Sequence, residues 1–504
     1  MANLLKPISY QKGAALAVGS TFLWKTLSFV NALLIALYFG TTAQTDLYFY
    51  LIMGLGFGIS FLQRMNTAVV IPEAQSLARN EENASCRLIN LFLFFYVTLA
   101  FLCLLAGLFT PVFWIEFFSR FDASFLQNNS VLITSCFVLF GLQMLSNYLM
   151  SVLEMYRRFS SVLLSPLNAL LPMFFLLLAG HKIGIISMVY GFLISNTLQI
   201  IAFVWIMKKE LQWSFRIEKF SFHPRLKRNL WSNQLIEIAN ITASMLPLYL
   251  LSGLNAGLVS ALNYARQLSD SPNEIFTLRV ANVSKIQLTE NASAEDWQQL
   301  NLNFLNTQHF LLFLLVPLAV FTGFFAEEII TLFFKRGNFN LLSVQEAAGF
   351  LRPLIWITAF LGIISMQNNL IAAGRKVRES LPYALLCILI FVFAVPFTMT
   401  LWGAFAYPYT QLTCCFISLA INRFFFKKYF PQVAYERSLK EAFKLGIYNL
   451  IAVLPALFLQ NRLQNVSIVN KLLLCGLVFT GILFLVTCLT GDWKKFLRHF
   501  KKRI

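Results

Sequence analysis

The chain has 504 residues, of which 58% are hydrophobic and only 12% are charged, and phenylalanine occurs 53 times. Soluble globular proteins are about 45–50% apolar and about 25% charged, so this composition excludes an ordinary soluble domain. A net charge of +18 would suggest a nucleic-acid partner in a soluble protein. In so apolar a chain it indicates basic loops on the cytoplasmic side of a membrane instead, and we expect no nucleic acid.

Apolar runs of roughly 20 residues recur along the chain, and each can cross the hydrocarbon core as an α-helix. A membrane β-barrel would show short alternating segments instead. We therefore predict an all-α, polytopic membrane protein with about 14 transmembrane helices. In chain order the predicted spans are 13–39, 46–71, 88–110, 130–153, 160–180, 183–207, 229–252, 257–284, 305–333, 347–371, 380–401, 403–422, 444–461 and 471–490.

The two halves of the chain show weak internal similarity. "LYFGTTAQTDLYFY" (37–50) aligns with "LLSGLNAGLVSALN" (250–263), and "EFFSRFDASF" (116–125) resembles "LFFKRGNFN" (332–340). Such repeats are typical of transporters, whose substrate site lies where the repeats meet. The spacing predicts two six-helix lobes related by an internal repeat, followed by two C-terminal helices.

The predicted organisation follows from that repeat and from the basic loops. We expect an N-terminal lobe over 1–210, a basic cytoplasmic linker over 211–228, a C-terminal lobe over 229–427, and helices 13 and 14 with a basic tail over 428–504. Most of the 40 Lys and Arg residues fall on one side of the membrane if the N-terminus is inside. The positive-inside rule then predicts that both termini are cytoplasmic, in a membrane whose lipid contacts the chain.

Ionisable side chains within spans are costly and usually face a protein interior or a water-filled cavity. Lys25, Arg64 and Glu237 lie in the first two helices of each predicted half, and Glu237 is a candidate partner of Lys25. A second group, Arg266, Asp270 and Glu274, follows a spacing of four residues along one helix that Pro272 interrupts. We interpret these charges as a polar cavity wall, with a self-paired structural stripe as the alternative.

Asp46 stands between two long apolar runs, just after Gly40. A carboxylate in the first turn of a helix is favoured by the helix dipole and the free amides. That structural role is one interpretation, and a role in gating or ion coupling is the other. Glu237, Asp270 and Glu274 are further candidates for coupling.

The eight cysteines and four histidines are dispersed and form no CxxC or Cys/His cluster. We therefore expect no metal site and no disulfide framework. No nucleophile–base set or phosphate-binding loop is present either, so the sequence predicts neither an enzyme nor a bound cofactor.

Four motifs in order resemble the MviN/MurJ family of lipid II flippases, within the multidrug/oligosaccharidyl-lipid/polysaccharide exporter superfamily. "FGTTAQTDLYF" (39–49) resembles the FG-x-x-x-x-TD-x-F/Y signature, and "VIPEAQSLA" (70–78) resembles the VPxLxE end of the second helix. "LNYARQL" (262–268) resembles YYADRL, and "FFKRGNF" (333–339) resembles the FxRGxF loop. Chain length and the number of helices agree over nearly the whole chain.

The resemblance implies a cavity between two lobes and a groove near helices 13 and 14 for a polyprenyl tail. The implied cargo is a lipid-linked glycan that crosses from the inner to the outer leaflet with no bond made or broken. The family's first cavity arginine corresponds to Lys25, and its next Arg-Asp pair is replaced by Asn31-Ala32. The Asp-Arg pair of YYADRL becomes Arg266-Gln267. Lysine keeps the positive charge but offers no bidentate fork for phosphate.

We therefore predict a flippase for an undecaprenyl-diphosphate-linked envelope precursor, most closely lipid II. Its candidate substrate-binding residues are Lys25, Asn31, Arg64, Arg266 and Gln267. The alternatives are a flippase for O-antigen or another oligosaccharide lipid, a drug or cation antiporter, and a non-transporting scaffold for envelope-synthesis proteins. The replaced arginines fit the scaffold, whereas the remaining cations argue against the antiporter.

Overall fold

In a computed structural model of the chain, the long apolar runs form helices. The structure describes residues 10–78, 82–216, 224–463 and 466–493, and every regular element within them is helical. Helices are expected because a backbone in lipid must satisfy its hydrogen bonds within its own segment. The predicted all-α class is confirmed.

The chain divides into two compact units, Met1–Ser260 and Ala261–Ile504. The lobe boundaries expected from the sequence stay predictions. The first unit also includes the first residues of the helix that begins at Leu258, together with the turn before that helix. Its own helices are α1 (Tyr10–Phe39), α2 (Ala43–Met65), α3 (Ile71–Ala78), α4 (Glu82–Phe109), α5 (Pro111–Phe118), α6 (Ala123–Asn128), α7 (Ser130–Met155), α8 (Leu167–Ile183), α9 (Ile186–Glu210) and α10 (Pro224–Leu251).

The second unit has longer continuous helices and one conspicuous break. Its helices are α11 (Leu258–Pro272), α12 (Leu278–Ser293), α13 (Trp297–Phe324), α14 (Ala326–Phe334), α15 (Leu341–Ala373), α16 (Val377–Trp402), α17 (Ala406–Tyr429), α18 (Tyr435–Arg462) and α19 (Ile468–Leu489).

Within the described residues, 11 helices are long and apolar enough to cross a membrane, and a shorter apolar helix covers Glu237–Leu251. The predicted spans overlap the helices above, and the span over 305–333 covers two of them, α13 and α14. The polytopic character predicted from hydropathy is therefore confirmed. The predicted span over 257–284 differs in detail, because α11 ends at Pro272 and a π-helical turn, Asn273–Thr277, leads into α12.

The core of the first unit is a packed set of helices in which α4 contacts α7 and α7 contacts α9. Tyr96 of α4 stacks on Tyr148 of α7, with ring centroids 4.7 Å apart. The Tyr148 hydroxyl donates to the Ile89 carbonyl at 2.7 Å. Buried tyrosines need such partners, and these two fix the register of α4 against α7.

Helices α8 and α9 approach each other closely at Gly191. A Cβ atom at this position would lie 2.5 Å from the Cα of Pro172 and 2.7 Å from the Leu171 carbonyl oxygen. Small residues at such crossings let membrane helices pack backbone to backbone. Gly191 therefore sets the spacing between α8 and α9.

We predict that Gly191→Ala lowers the midpoint of thermal unfolding in detergent, because the added methyl group must push the two backbones apart. Overpacking of this kind costs about 1–3 kcal/mol. The matched control is Gly481→Ala in α19, where a Cβ would meet no atom within 4 Å. That substitution should leave the midpoint unchanged or raise it slightly, since alanine favours helix. Equal midpoints for the two variants would contradict the close approach.

Candidate functional site

The carboxylate of Asp46 binds the start of another helix. Asp46 lies in the first turn of α2 and is only 3% exposed. Its two oxygens accept hydrogen bonds from the backbone N–H of Gly257 at 2.6 Å, from the backbone N–H of Ser260 at 2.7 Å, and from the Ser260 hydroxyl. We call this group, Asp46 with Gly257 and Ser260, the Asp46 junction.

The Asp46 junction supplies what a helix start needs. The first N–H groups of any helix lack partners within the helix, and α11 begins at Leu258. The start of α2 has its own cap, because the Thr42 hydroxyl accepts from the Thr45 amide at 3.3 Å. Asp46 therefore stabilises α11 in place of its own helix. The structural interpretation placed this carboxylate on the start of α2, whereas its hydrogen bonds go to the start of α11. A role of Asp46 in gating or coupling stays a prediction.

The turn before α11 depends on a glycine. Gly257 has φ of +102°, a region that residues with a Cβ rarely adopt. A Cβ there would also lie 3.2 Å from the carbonyl oxygen of Thr41. Only a glycine at position 257 therefore allows the backbone to bring this amide to Asp46.

A cavity of about 220 Å³ lies beside the Asp46 junction, and Arg120 and Asp122 are among its lining residues. The backbone amide of Arg120 donates to the Ser252 hydroxyl at 2.9 Å, and its guanidinium carbon lies 4.8 Å from the centre of the Tyr249 ring. Asp122 caps α6, and its hydrogen bonds from the hydroxyl and amide of Ser124 lower the pKa of this carboxyl. Three chain segments therefore meet at this end of the first unit.

Arg64 and Glu237 form an ion pair between α2 and α10. The Arg64 Nε lies 2.7 Å from Glu237 Oε2, and the side chains are 60% and 8% exposed, respectively. The sequence had suggested Lys25 as a partner of Glu237. The structure instead brings Arg64 to this carboxylate. A buried acid therefore holds an arginine whose side chain is largely exposed.

The two predicted site residues of α1 have different surroundings. Lys25 is half-buried, and its Nζ lies 4.8 Å from the centre of the Trp24 ring. Asn31 is buried, and its Nδ2 donates to the Ala169 carbonyl of α8 at 2.9 Å. Where the family carries a second arginine, this chain has an amide that joins α1 to α8. A direct contact of Asn31 with substrate stays a prediction.

The predicted stripe on α11 is present and reaches into the break. Arg266 Nη2 donates to the Tyr407 hydroxyl of α17 at 2.6 Å and interacts electrostatically with Asp270. Gln267 is half-buried, Asp270 is exposed, and Glu274 lies within the π-helical turn. Tyr407 has no local sequence signal, because it lies far along the chain in an ordinary apolar helix.

Side chains from α15 satisfy backbone groups on both sides of that break. The Thr358 hydroxyl donates to the Ser269 carbonyl at 2.7 Å, and Asn369 Nδ2 donates to the Ala281 carbonyl at 2.7 Å. These bonds join α15 to the helices before and after the break.

A similar π-helical turn, Asn66–Val70, separates α2 from α3. The Tyr96 hydroxyl donates to Asn66 Oδ1 at 2.9 Å and reaches the Leu62 carbonyl at 3.3 Å. The chain therefore breaks the helix that follows each of its aligned turns, and a polar side chain from a packed helix holds each break.

We predict that Asp46→Asn lowers the thermal unfolding midpoint more than Ser260→Ala does. Asparagine replaces one acceptor oxygen by an NH₂ group that would face a backbone N–H, and a hydrogen bond to a charged group is worth about 1.5–3 kcal/mol. Ser260→Ala keeps both backbone bonds. The control is Asp122→Asn, an exposed N-cap, which should change the midpoint little. Equal shifts for Asp46→Asn and Asp122→Asn would contradict this assignment.

We also predict that Thr358→Val destabilises the protein by about 1–3 kcal/mol, because it leaves the buried Ser269 carbonyl without its donor. The matched control is Thr413→Val, since the exposed Thr413 hydroxyl only donates to Tyr409 one turn back in its own helix. Thermal unfolding in detergent measures both. A Thr358→Val midpoint no lower than that of Thr413→Val would refute the role of α15.

The sequence matches a known protein family. The family model for the lipid II flippase MurJ matches residues 35–476. A probable lipid II flippase MurJ of Bdellovibrio bacteriovorus is 24% identical over 331 residues, which is 60% of this chain and 60% of that protein. The match therefore spans less than two thirds of that relative.

Solved structures show the same fold. A lipid II flippase MurJ in an inward closed conformation superposes with a TM-score of 0.76 at 18% identity, covering 95% of this chain and 99% of that one. A multidrug resistance MATE transporter of the MOP superfamily, in an inward-facing conformation, gives a TM-score of 0.63 at 12% identity, covering 82% and 98%. The family match covers far more than half of the sequence, so the chain belongs to the lipid II flippase MurJ family.

Proposed function

We propose that this protein is a flippase that moves an undecaprenyl-diphosphate-linked glycan precursor, most closely peptidoglycan lipid II, from the inner to the outer leaflet. It is a multi-pass protein of the bacterial inner membrane, as its family and its spans indicate. Flipping makes and breaks no covalent bond. The side chains of the protein have only to bind the cargo, release it and control access to the cavity. The observation that carries the proposal is the exposed Arg64 held by the buried Glu237.

Arg64 suits a diphosphate for a physical reason. A guanidinium offers several N–H donors in a planar fork that matches phosphate oxygens. Glu237 occupies one side of that fork, and the large exposed fraction of Arg64 leaves surface for a second anion. Lys25 on α1 adds a further charge in the same unit. In the second unit, Arg266 contributes a guanidinium that Tyr407 positions.

Glu237 provides a means of coupling. A diphosphate that draws Arg64 away leaves a buried carboxylate without its cation, and this is costly unless a proton or another cation replaces it. Binding of the anionic cargo would thereby promote uptake of a positive charge. Asp270 and Glu274 on the α11 break are further coupling candidates.

The Asp46 junction is suited to gating. We place both termini in the cytoplasm, on the basis of the basic loops. The end of α1 and the start of α2 then face outward, so the Asp46 junction lies at the outer side. Three hydrogen bonds at one point join the start of α2 to the start of α11. Breaking and remaking them would open and close that side during alternating access.

The proposal predicts that the chain rescues bacteria depleted of their own lipid II flippase, scored by lipid II reaching the outer leaflet. Lys25→Gln combined with Arg266→Gln should abolish this rescue. Arg64→Gln alone should reduce flipping at least tenfold, since one charge-assisted hydrogen bond is worth about 1.5–3 kcal/mol.

The matched control for charge removal is Arg423→Gln, an exposed arginine that pairs with Glu436. It should rescue as well as the unaltered chain. Unchanged flipping with Lys25 and Arg266 neutralised would refute the diphosphate site. Failure of the unaltered chain to rescue, with the protein present in the membrane, would refute lipid II as the cargo.

A further inference from the structure

A second polar cavity, of about 720 Å³, lies in the first unit at the opposite ends of the helices from the Asp46 junction. It is formed by the start of α4, the residue after α7, the end of α9 and the segment 211–216. Its lining includes Arg87 and Arg216, the carboxylate Glu210, the amides Asn83 and Gln212, and Tyr156. This volume falls within the roughly 300–1,000 Å³ of ordinary ligand pockets.

One wall of this cavity is held in place by a buried asparagine. Asn90 of α4 is 7% exposed, and its Nδ2 donates to the carbonyls of Ser214 at 2.7 Å and Arg216 at 2.9 Å. Its Oδ1 accepts from the indole N–H of Trp213 at 2.8 Å. Asn90 thereby binds three points of a segment that has no regular structure. Arg216 thus projects from a fixed backbone.

Aromatic packing and the end of α9 complete this wall. The Trp213 ring meets the Tyr156 ring edge-on, with centroids 5.6 Å apart. The Trp213 amide donates to the Met207 carbonyl of α9 at 3.1 Å. Gln212 takes a left-handed conformation with φ of +49°, which is uncommon for a residue with a Cβ. A cavity lined by so constrained a segment is preformed.

The charge of the cavity is positive. Among the residues that the structure describes, two guanidinium groups line it against one carboxylate, that of Glu210. Glu210 is itself engaged by Arg158, whose Nη1 lies 3.7 Å from Glu210 Oε2. Lys208 and Lys209, in the last turn of α9, add further positive charge nearby. The cavity therefore favours an anion.

The cavity also lies at a defined depth. The candidate spans Asn83–Phe109 and Ile186–Glu210 begin and end at it, respectively. The end of a span is where hydrocarbon gives way to headgroups and water. Phosphate groups of lipids and of dissolved phosphate compounds both occur at this level.

We propose that this cavity binds a phosphate-bearing anion, with Arg87 and Arg216 as its cationic ligands and the amides of Asn83 and Gln212 as further donors. Arginine is favoured for phosphate because its fork donates two parallel hydrogen bonds. The phosphate belongs either to an anionic phospholipid headgroup or to a soluble phosphate compound. This site is separate from Arg64 and the Asp46 junction, and it does not depend on the proposed cargo.

The test compares the two sources with the full chain. In one arm, the purified protein is taken from bilayers of phosphatidylcholine with phosphatidylglycerol, and retained lipid is measured by native mass spectrometry. In the other arm, adenosine monophosphate and inorganic phosphate are titrated in detergent, and the rise in unfolding midpoint is recorded. Binding of phosphatidylglycerol alone assigns the lipid source, and binding of a soluble probe assigns the other.

The variant carries Arg87→Gln and Arg216→Gln, and the matched control carries Arg336→Gln and Arg423→Gln outside the cavity. We expect the cavity variant to lose at least tenfold in affinity for whichever probe binds, while the control variant keeps it. If the double variant does not fold, Arg216→Gln alone serves, because this exposed side chain lies outside any helix. Equal affinity of the cavity and control variants, or binding of neither probe, would overturn the proposal.

Discussion

A buried carboxylate, that of Asp46, joins two helix starts that are 211 residues apart in the chain. Burying a charge is costly unless it is paired or fully hydrogen-bonded. Two backbone amides and one hydroxyl meet that requirement here. The same bonds supply acceptors to amides at the start of α11. The start of α11 depends on Asp46, whereas the start of α2 has its own cap in Thr42.

The breaks after α2 and α11 reflect a related constraint, namely that buried polar groups need hydrogen-bond partners. A π-helical turn leaves backbone groups out of register with their usual partners. In lipid these groups have to find partners from neighbouring helices. At the turn after α2, the Tyr96 hydroxyl donates to the Asn66 side chain and reaches the Leu62 carbonyl. Thr358 and Asn369 donate to carbonyls before and after the break that follows α11. Each break is therefore held by hydrogen bonds from a packed helix.

Hydropathy alone predicted the helices, because each span is a long apolar run with its own hydrogen bonds. Pro272 predicted the break in the eighth span for a local reason. The contacts across the chain had no such signal. Nothing near Glu237 specifies Arg64 over Lys25, since both cations lie in apolar helices and the choice depends on tertiary packing. For Asp46, the sequence indicates a carboxylate near helix amides. It gives no sign that these amides belong to a helix more than 200 residues away.

Helix α2 carries both Asp46, which we propose for gating, and Arg64, which we propose for diphosphate binding. Asp46 lies near its start and Arg64 in its last turn, so at about 1.5 Å per residue the two charges are roughly 27 Å apart along the axis. That is close to the hydrocarbon thickness of about 30 Å. Under the proposed orientation, with Asp46 at the outer side, Arg64 would lie near the inner interface, where the diphosphate of an inner-leaflet lipid would first reach the protein.

The resemblance to the family implies a helix 2 cation near Gly58, and Arg64 lies about 9 Å further along α2. The displaced cation is supported by Glu237, and the turn just beyond it is held by Tyr96. A shift of this size is compatible with the same cargo if the diphosphate is captured nearer to the interface. It would leave transfer deeper in the membrane to Lys25 and Arg266. Under the proposed function, the replaced arginines would change where the anion is held rather than whether it is held.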